Sequence, residues 1–176
     1  NMEIVHFAVD PENENIIYAS LRNLEATSSK ILARKNPDNG KWEVLDWRIP
    51  GGLRESVWGA LAVDHLGNLY VADPVKHVVV KAGFGKANSW KIIGGKFGTT
   101  GLNNGDNGED TLFNKPSGIC VDIAGNLYIG DAGNNVIRKI DTDGKVTIYA
   151  GNESGEAGFS DDGILSNAKF DGPTAV

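Results

Sequence analysis

The seven residues GNLYVAD that begin at Gly67 return at Gly125 as GNLYIGD, and in both places a Val-Asp pair ends three residues upstream. A recurrence of this length at an interval of 58 residues marks a structural unit that repeats, so it constrains the fold more than any single residue does.

Extending the match outward yields three copies. ALAVDHLGNLYVADPVKHVVVK from Ala60 and GICVDIAGNLYIGDAGNNVIRK from Gly118 align without a gap. The first copy is looser: HFAVDPENENIIYAS from His6 carries two extra residues in its turn, and a polar insertion precedes KILARK from Lys30. In this alignment Ser20 takes the place of the aspartates at 73 and 131. Downstream, IIGG ending at Gly95 and YAG ending at Gly151 each lead into a Gly/Asn/Asp-rich stretch that closes with FNKP at Phe113 and FDGP at Phe170. Pro173 to Val176 then reads as the opening of a fourth copy.

Each copy has the pattern of four short strands, which in the third are Gly118 to Val121, Asn126 to Ile129, Val136 to Ile140 and Val146 to Ala150. They are rich in β-branched and aromatic residues and are separated by Gly, Asn and Asp, the residues that tight turns require. The 23 glycines among 176 residues suit many such turns, and no segment has helical periodicity. Four antiparallel strands repeated several times describe the blades of a β-propeller. The expected architecture is therefore all-β, with blades at about 1–50, 57–95 and 116–151 and a stub from about 170.

PSGICVDIAGNLYIGDAGNNVIRKI from Pro116 resembles an NHL repeat, and the continuation from Tyr149 to Pro173 is similar to the longer variety of that repeat. The second copy departs from the pattern at Trp58 and Pro74-Val75. The resemblance implies a ring of typically six blades used mostly as a binding platform, with zinc-dependent lyases among its relatives. Three blades and a stub do not close such a ring. A bare flank of about 400 Å² at ~25 cal/mol per Å² corresponds to ~10 kcal/mol, the scale of a whole domain's stability. The sequence is thus expected to be a segment of a longer protein, which its end inside a strand favours, or one of two chains that complete a ring.

Charge and composition limit the function. A formal net charge of −6 and scattered Lys and Arg, with Arg138-Lys139 the nearest approach to a cluster, argue against nucleic acid as partner. With 40% hydrophobic residues and no apolar run of membrane-spanning length, no membrane insertion is expected. Cys120 stands alone, so it forms no intrachain disulfide, and its place between Ile119 and Val121 suits a small buried residue better than a nucleophile. Asn152 to Ser154 fits a glycosylation sequon, a short motif that leaves localisation open.

No nucleophile elbow, phosphate-binding loop or Cys/His pairing is present. GDNGED from Gly105 and SDDG from Ser160 cluster oxygens without the spacing of a calcium loop, and His6, His65 and His77 occupy different repeat positions without a zinc spacing. No catalytic residue, metal or cofactor is assigned. In an up-and-down blade the connection from strand two to three and the connection to the next blade emerge on one rim. Asp73, His77, Asp131, Asn134 and Asn135 are accordingly the candidates for contact with a protein or peptide partner. The competing reading is that these side chains bond their own turns. Asp64 and Asp122, at the same place in successive repeats, are expected to cap turns, and Tyr70 and Tyr128 to pack between blades. The alternative to a non-catalytic binding module is a metal-dependent enzyme or ligand site in the channel, completed by blades outside this chain.

Overall fold

In the computed structural model the described residues are 2–23, 30–45, 59–83, 89–160 and 164–176. They form three four-stranded antiparallel sheets in which strand order follows chain order. The first sheet comprises β1 (Met2–Asp10), β2 (Asn13–Asn23), β3 (Lys30–Lys35) and β4 (Trp42–Val44). The second comprises β5 (Leu61–Val63), β6 (Leu69–Asp73), β7 (Val78–Gly83) and β8 (Ser89–Gly94), and the third β9 (Pro116–Val121), β10 (Leu127–Asp131), β11 (Val136–Ile140) and β12 (Val146–Ala150). Two of the four strands expected in the third copy shift: β9 starts at Pro116, and β10 runs on to Asp131.

Alternation along each strand sends successive side chains to opposite flanks, and in the second and third sheets both flanks carry apolar residues. Leu127 and Ile129 of β10, with Ile119, Ile140 and Val146, pack on Ala62, Tyr70, Ala72 and Val79 of the second sheet, with Phe113 buried among them. The opposite flank of the second sheet presents Leu61, Val63, Val71 and Val80 to Tyr18, Ala8 and Ile16 of the first. Each large side chain so covered stabilises the stack by about 1.5–3 kcal/mol.

The first strands of the sheets come together. β5 lies beside both β1 and β9, and the Ala60 N–H donates to the Ser117 carbonyl at 2.8 Å. The approach is close enough to require glycine: a Cβ at Gly59 would sit 2.7 Å from the Ser117 carbonyl oxygen, and one at Gly118 would sit 2.8 Å from that of Thr174. Residues 173–176 thus lie on the third sheet as β9 lies on the second. Four-stranded sheets stacked flank to flank with their first strands innermost are blades, and the chain is a partial β-propeller.

The β5–β6 and β9–β10 turns show why Val-Asp recurs. Asp64 Oδ1 accepts from the backbone N–H groups of Leu66 and Asn68, both at 2.9 Å, and its Oδ2 accepts from Asn68 Nδ2 at 2.8 Å and the Tyr70 hydroxyl at 2.9 Å. Asp122 repeats the arrangement with Asn126 and Tyr128, the Tyr128 hydroxyl at 3.2 Å. The capping expectation holds, and the tyrosines do more than pack, since their hydroxyls complete the caps. Burial alone would raise the pKa of Asp64, but the donors from Asn68, Tyr70 and Leu66 outweigh it and hold the carboxylate below its ordinary range. Burial, reinforced by the facing Asp64, pushes the Tyr70 hydroxyl upward.

Register corrects one element of the sequence alignment. Tyr18 stands opposite Ala8 as Tyr70 stands opposite Ala62 and Tyr128 opposite Cys120. Counting on from Tyr18 puts Leu21, not Ser20, at the place of Asp73 and Asp131. The two extra turn residues shift the whole of β2, because a hairpin's pairing fixes which residue ends the strand.

Candidate functional site

The β6–β7 loop, the β10–β11 loop and the connectors 95–113 and 151–170 meet on one rim, joined by a repeated clasp. His77 and Asn135 hold equivalent places, with φ of 61° and 55°. His77 Nδ1 accepts from the Lys115 N–H at 3.0 Å, and Asn135 Oδ1 accepts from the Gly172 N–H at 3.0 Å. The two donors are themselves equivalent, with φ of 55° and 59°. Each loop therefore grips the end of the connector that leaves its own blade. Gly95 must be glycine here: its φ is +86°, and a Cβ would collide with the His77 carbonyl oxygen.

The candidate acids lie beneath the loops. Asp73 is fully buried, and its Oδ1 accepts from the N–H groups of Val75 and Lys76, both at 2.9 Å, while Oδ2 has no hydrogen-bond partner among the described residues. Asp131, also fully buried, accepts from the Asn114 N–H at 2.7 Å, from Asn134 Nδ2 at 2.7 Å and from Arg138 Nη1 at 3.4 Å. Asn134 Nδ2 also reaches the Gly101 carbonyl at 2.7 Å, and Asn135 Nδ2 reaches that of Gly155 at 3.0 Å. The structure thus gathers all five candidates at the rim, and their polar groups brace loops and connectors. Asp73 and Asp131 offer no exposed surface to a partner.

Arg138 is the residue that sequence reading passed over. Its side chain is fully buried with its guanidinium over the Phe113 ring, 5.0 Å from the centroid. It donates to the carbonyls of Leu112 (3.2 Å) and Asn103 (2.8 Å), to Asn104 Oδ1 (3.1 Å) and to Asp131. It therefore pins connector 95–113 from the following blade. Burial pushes the Asp131 carboxyl up to about 6, against the opposing pull of Asn114, Asn134 and Arg138. Burial lowers the pKa of His77, and Lys115 adds to the shift while Asp73 opposes it. The Nδ1 atom that accepts from Lys115 must be unprotonated to do so.

Above this braced layer the rim exposes apolar side chains. Val75 is 47% exposed and Phe97 38%, with the Lys76 ammonium 5.2 Å from the Phe97 ring centroid. Beside them a cleft of about 420 Å³ is lined by Trp90, Ile92, Phe97, Lys96 and Glu109 along β8, the last strand of its sheet. Trp42 lies 40% exposed in the first sheet, and Trp47 and Trp58 fall outside the described residues.

The acidic stretch from Gly105 is bonded within itself. Asn107 Oδ1 accepts from the N–H groups of Glu109 and Asp110, capping a 3₁₀ turn, and its Nδ2 donates to Asp110 at 2.6 Å. Residues 161–163 of the second acidic stretch lie outside the described residues. Among the described residues there is no group of three or more His, Cys, Asp or Glu side chains placed to hold a metal ion.

Solved structures with this architecture are β-propeller proteins. An auxiliary nutrient binding protein from Bacteroides thetaiotaomicron superposes with a TM-score of 0.77 at 18% identity over 99% of this chain and 42% of its own. A structural genomics protein of unknown function from the same species gives 0.76 at 25% identity over 98% and 41%. Virginiamycin B lyase from Staphylococcus aureus gives 0.55 at 15% identity over 85% and 44%. The chain spans about two fifths of the length of these proteins, and the likeness is one of fold. No family model matches the chain, and neither does any curated protein.

Proposed function

We propose that the chain is part of an NHL-type propeller that serves as a non-catalytic binding module, its blades at about 1–50, 57–95 and 116–151 with a fourth opening near 170, presenting its loop rim to a protein or peptide partner. The observation that carries this reading is the pairing of exposed Val75 and Phe97 with the apolar cleft beside Trp90, on loops held by hydrogen bonds to Asp73 and His77. Loops already held in place lose little freedom on binding, which lowers the entropic cost of association. Tryptophan, here Trp90 at the cleft, is among the residue types enriched at interface hot spots. Solved propellers named as nutrient binding proteins are consistent with a binding role.

The test is capture from the source cells by the immobilised chain, compared with Val75→Ser and Phe97→Ala variants. Val75 is about half exposed and Phe97 less so, so the Tm of each variant serves as the control for folding, and a partner retained by the parent is expected to fall at least about tenfold, the loss of roughly 1.4 kcal/mol. Equal retention by all three proteins would place the binding surface elsewhere.

A further inference from the structure

The described residues of connector 151–170 repeat several contacts of connector 95–113. The Gly158 N–H donates to the Phe170 carbonyl at 3.0 Å as that of Gly101 donates to Phe113 at 3.3 Å. Ser160 bridges Lys169 as Asn103 bridges Leu112. Gly172 takes the left-handed conformation of Lys115. Every one of these pairs is offset by 57 positions.

The two connectors differ in what covers them. Phe113 is fully buried under the Arg138 guanidinium, whereas Phe170 is partly exposed at a cavity of about 700 Å³ shared with Phe159, Ser160, Leu165 and Lys169. The carbonyls of Asn103 and Leu112, which receive Arg138, correspond to those of Ser160 and Lys169. Leu102 lies against Gly155 of the next connector, and its counterpart Phe159 is 95% exposed.

We propose that the cavity at Phe170 is a receptor for an arginine presented by a further blade docked on residues 173–176, that arginine following an aspartate by seven residues as Arg138 follows Asp131. The ring face and paired carbonyls match a guanidinium's fork of donors and its stacking preference, and a compact ammonium fills neither role as well. A second copy of this chain is not the occupant. Its first sheet carries Leu21 at the aspartate position and Ala33, which faces Ala19 as Arg138 faces Ile129, at the arginine position. Such a dimer would bring no guanidinium to the Phe170 ring or to the Ser160 and Lys169 carbonyls, the first of which accepts only the Lys169 N–H at 3.4 Å among the described residues.

The probe is methylguanidinium, with methylammonium as its control, each titrated to about 50 mM into the isotopically labelled chain at constant ionic strength, far below unfolding concentrations. Saturable amide shifts at Ser160, Lys169 and Phe170 with methylguanidinium alone are expected, with the already occupied Asn103, Leu112 and Phe113 unmoved. Phe170→Ala should abolish them, and the rest of its spectrum reports whether the variant is folded. If it is not, the contrast between the two ions in the parent decides alone. Equal response to both ions, or none, overturns the receptor. Sedimentation equilibrium provides the second arm: a closed two-copy ring at about 100 μM overturns the exclusion of a second copy.

Discussion

Arg138→Met is the most informative single substitution. Methionine keeps an unbranched apolar stem over Phe113 but deletes the guanidinium, so four acceptors lose their donor. Asn103 and Asn104 are exposed residues that water can satisfy, which leaves buried Asp131 as the large term. Removing one member of a buried ion pair costs about 3–5 kcal/mol. Asp131 keeps the donors from Asn114 and Asn134, so the lower end, about 3 kcal/mol, is expected. The penalty must also depend on pH in a defined direction. The folded pKa of Asp131, about 6, lies above that of the unfolded chain. Its contribution is fully present below the unfolded value near 4 and is lost as pH rises through 6. Deleting the cation raises that pKa further, so the variant should approach the parent at pH 5 and fall behind it at pH 7.5. Urea unfolding at both pH values measures this directly, and the double variant Asp131→Asn/Arg138→Met should recover at least about 2 kcal/mol through the coupling of the two sites. A cost below about 1 kcal/mol at pH 7.5, or one equal at both pH values, would refute the assignment of the pair as the pin between blades.

Two further outcomes concern the clasp and the caps. The hydrogen bond from Lys115 requires neutral His77, whose folded pKa lies below 6.5, so its contribution is present above 6.5 and lost as pH falls through the folded value. Tm measured between pH 5 and 8 should show this loss, His77→Asn should remove it by supplying the acceptor that Asn135 supplies in the next blade, and an unchanged profile would count against the clasp. Tyr70→Phe should destabilise by about 1 kcal/mol by leaving buried Asp64 one donor short, and Tyr128→Phe by less because its bond is longer and its surroundings more open. Chemical denaturation of the two variants compares them, and equal losses would contradict this account of the caps.

The blade pattern was legible in the sequence because its signals are local. Val-Asp before Gly-Asn marks a turn whose bonds span at most six residues, and the β-branched and aromatic residues after it mark a strand, although its cover on both flanks came only from the neighbouring sheet. The rim was legible as a location, since loop and connector positions follow from counting strands. The roles of its residues were not, because the partners are distant in sequence: His77 meets Lys115 across 38 positions and Arg138 meets Asn103 across 35. Arg138 and Lys139 read together as a small basic patch, but strand alternation sends Arg138 under the connector and Lys139 over the Tyr128 ring, 5.9 Å from its centroid. The misplacement of Ser20 was different in kind, since matching Tyr18 to Tyr70 already places Leu21 at the position of Asp73 by counting along the strand.

The clasps between blades also bear on how such a molecule changes over evolutionary time. Because His77 reaches Lys115 and Asn135 reaches Gly172 within one repeat length, a duplication or loss of a whole repeat regenerates every clasp at the new junction. Growth or shrinkage in units of one repeat therefore needs no compensating substitution at the clasp, and the clasp also bridges connectors of different length, since 95–113 and 151–170 differ by one residue.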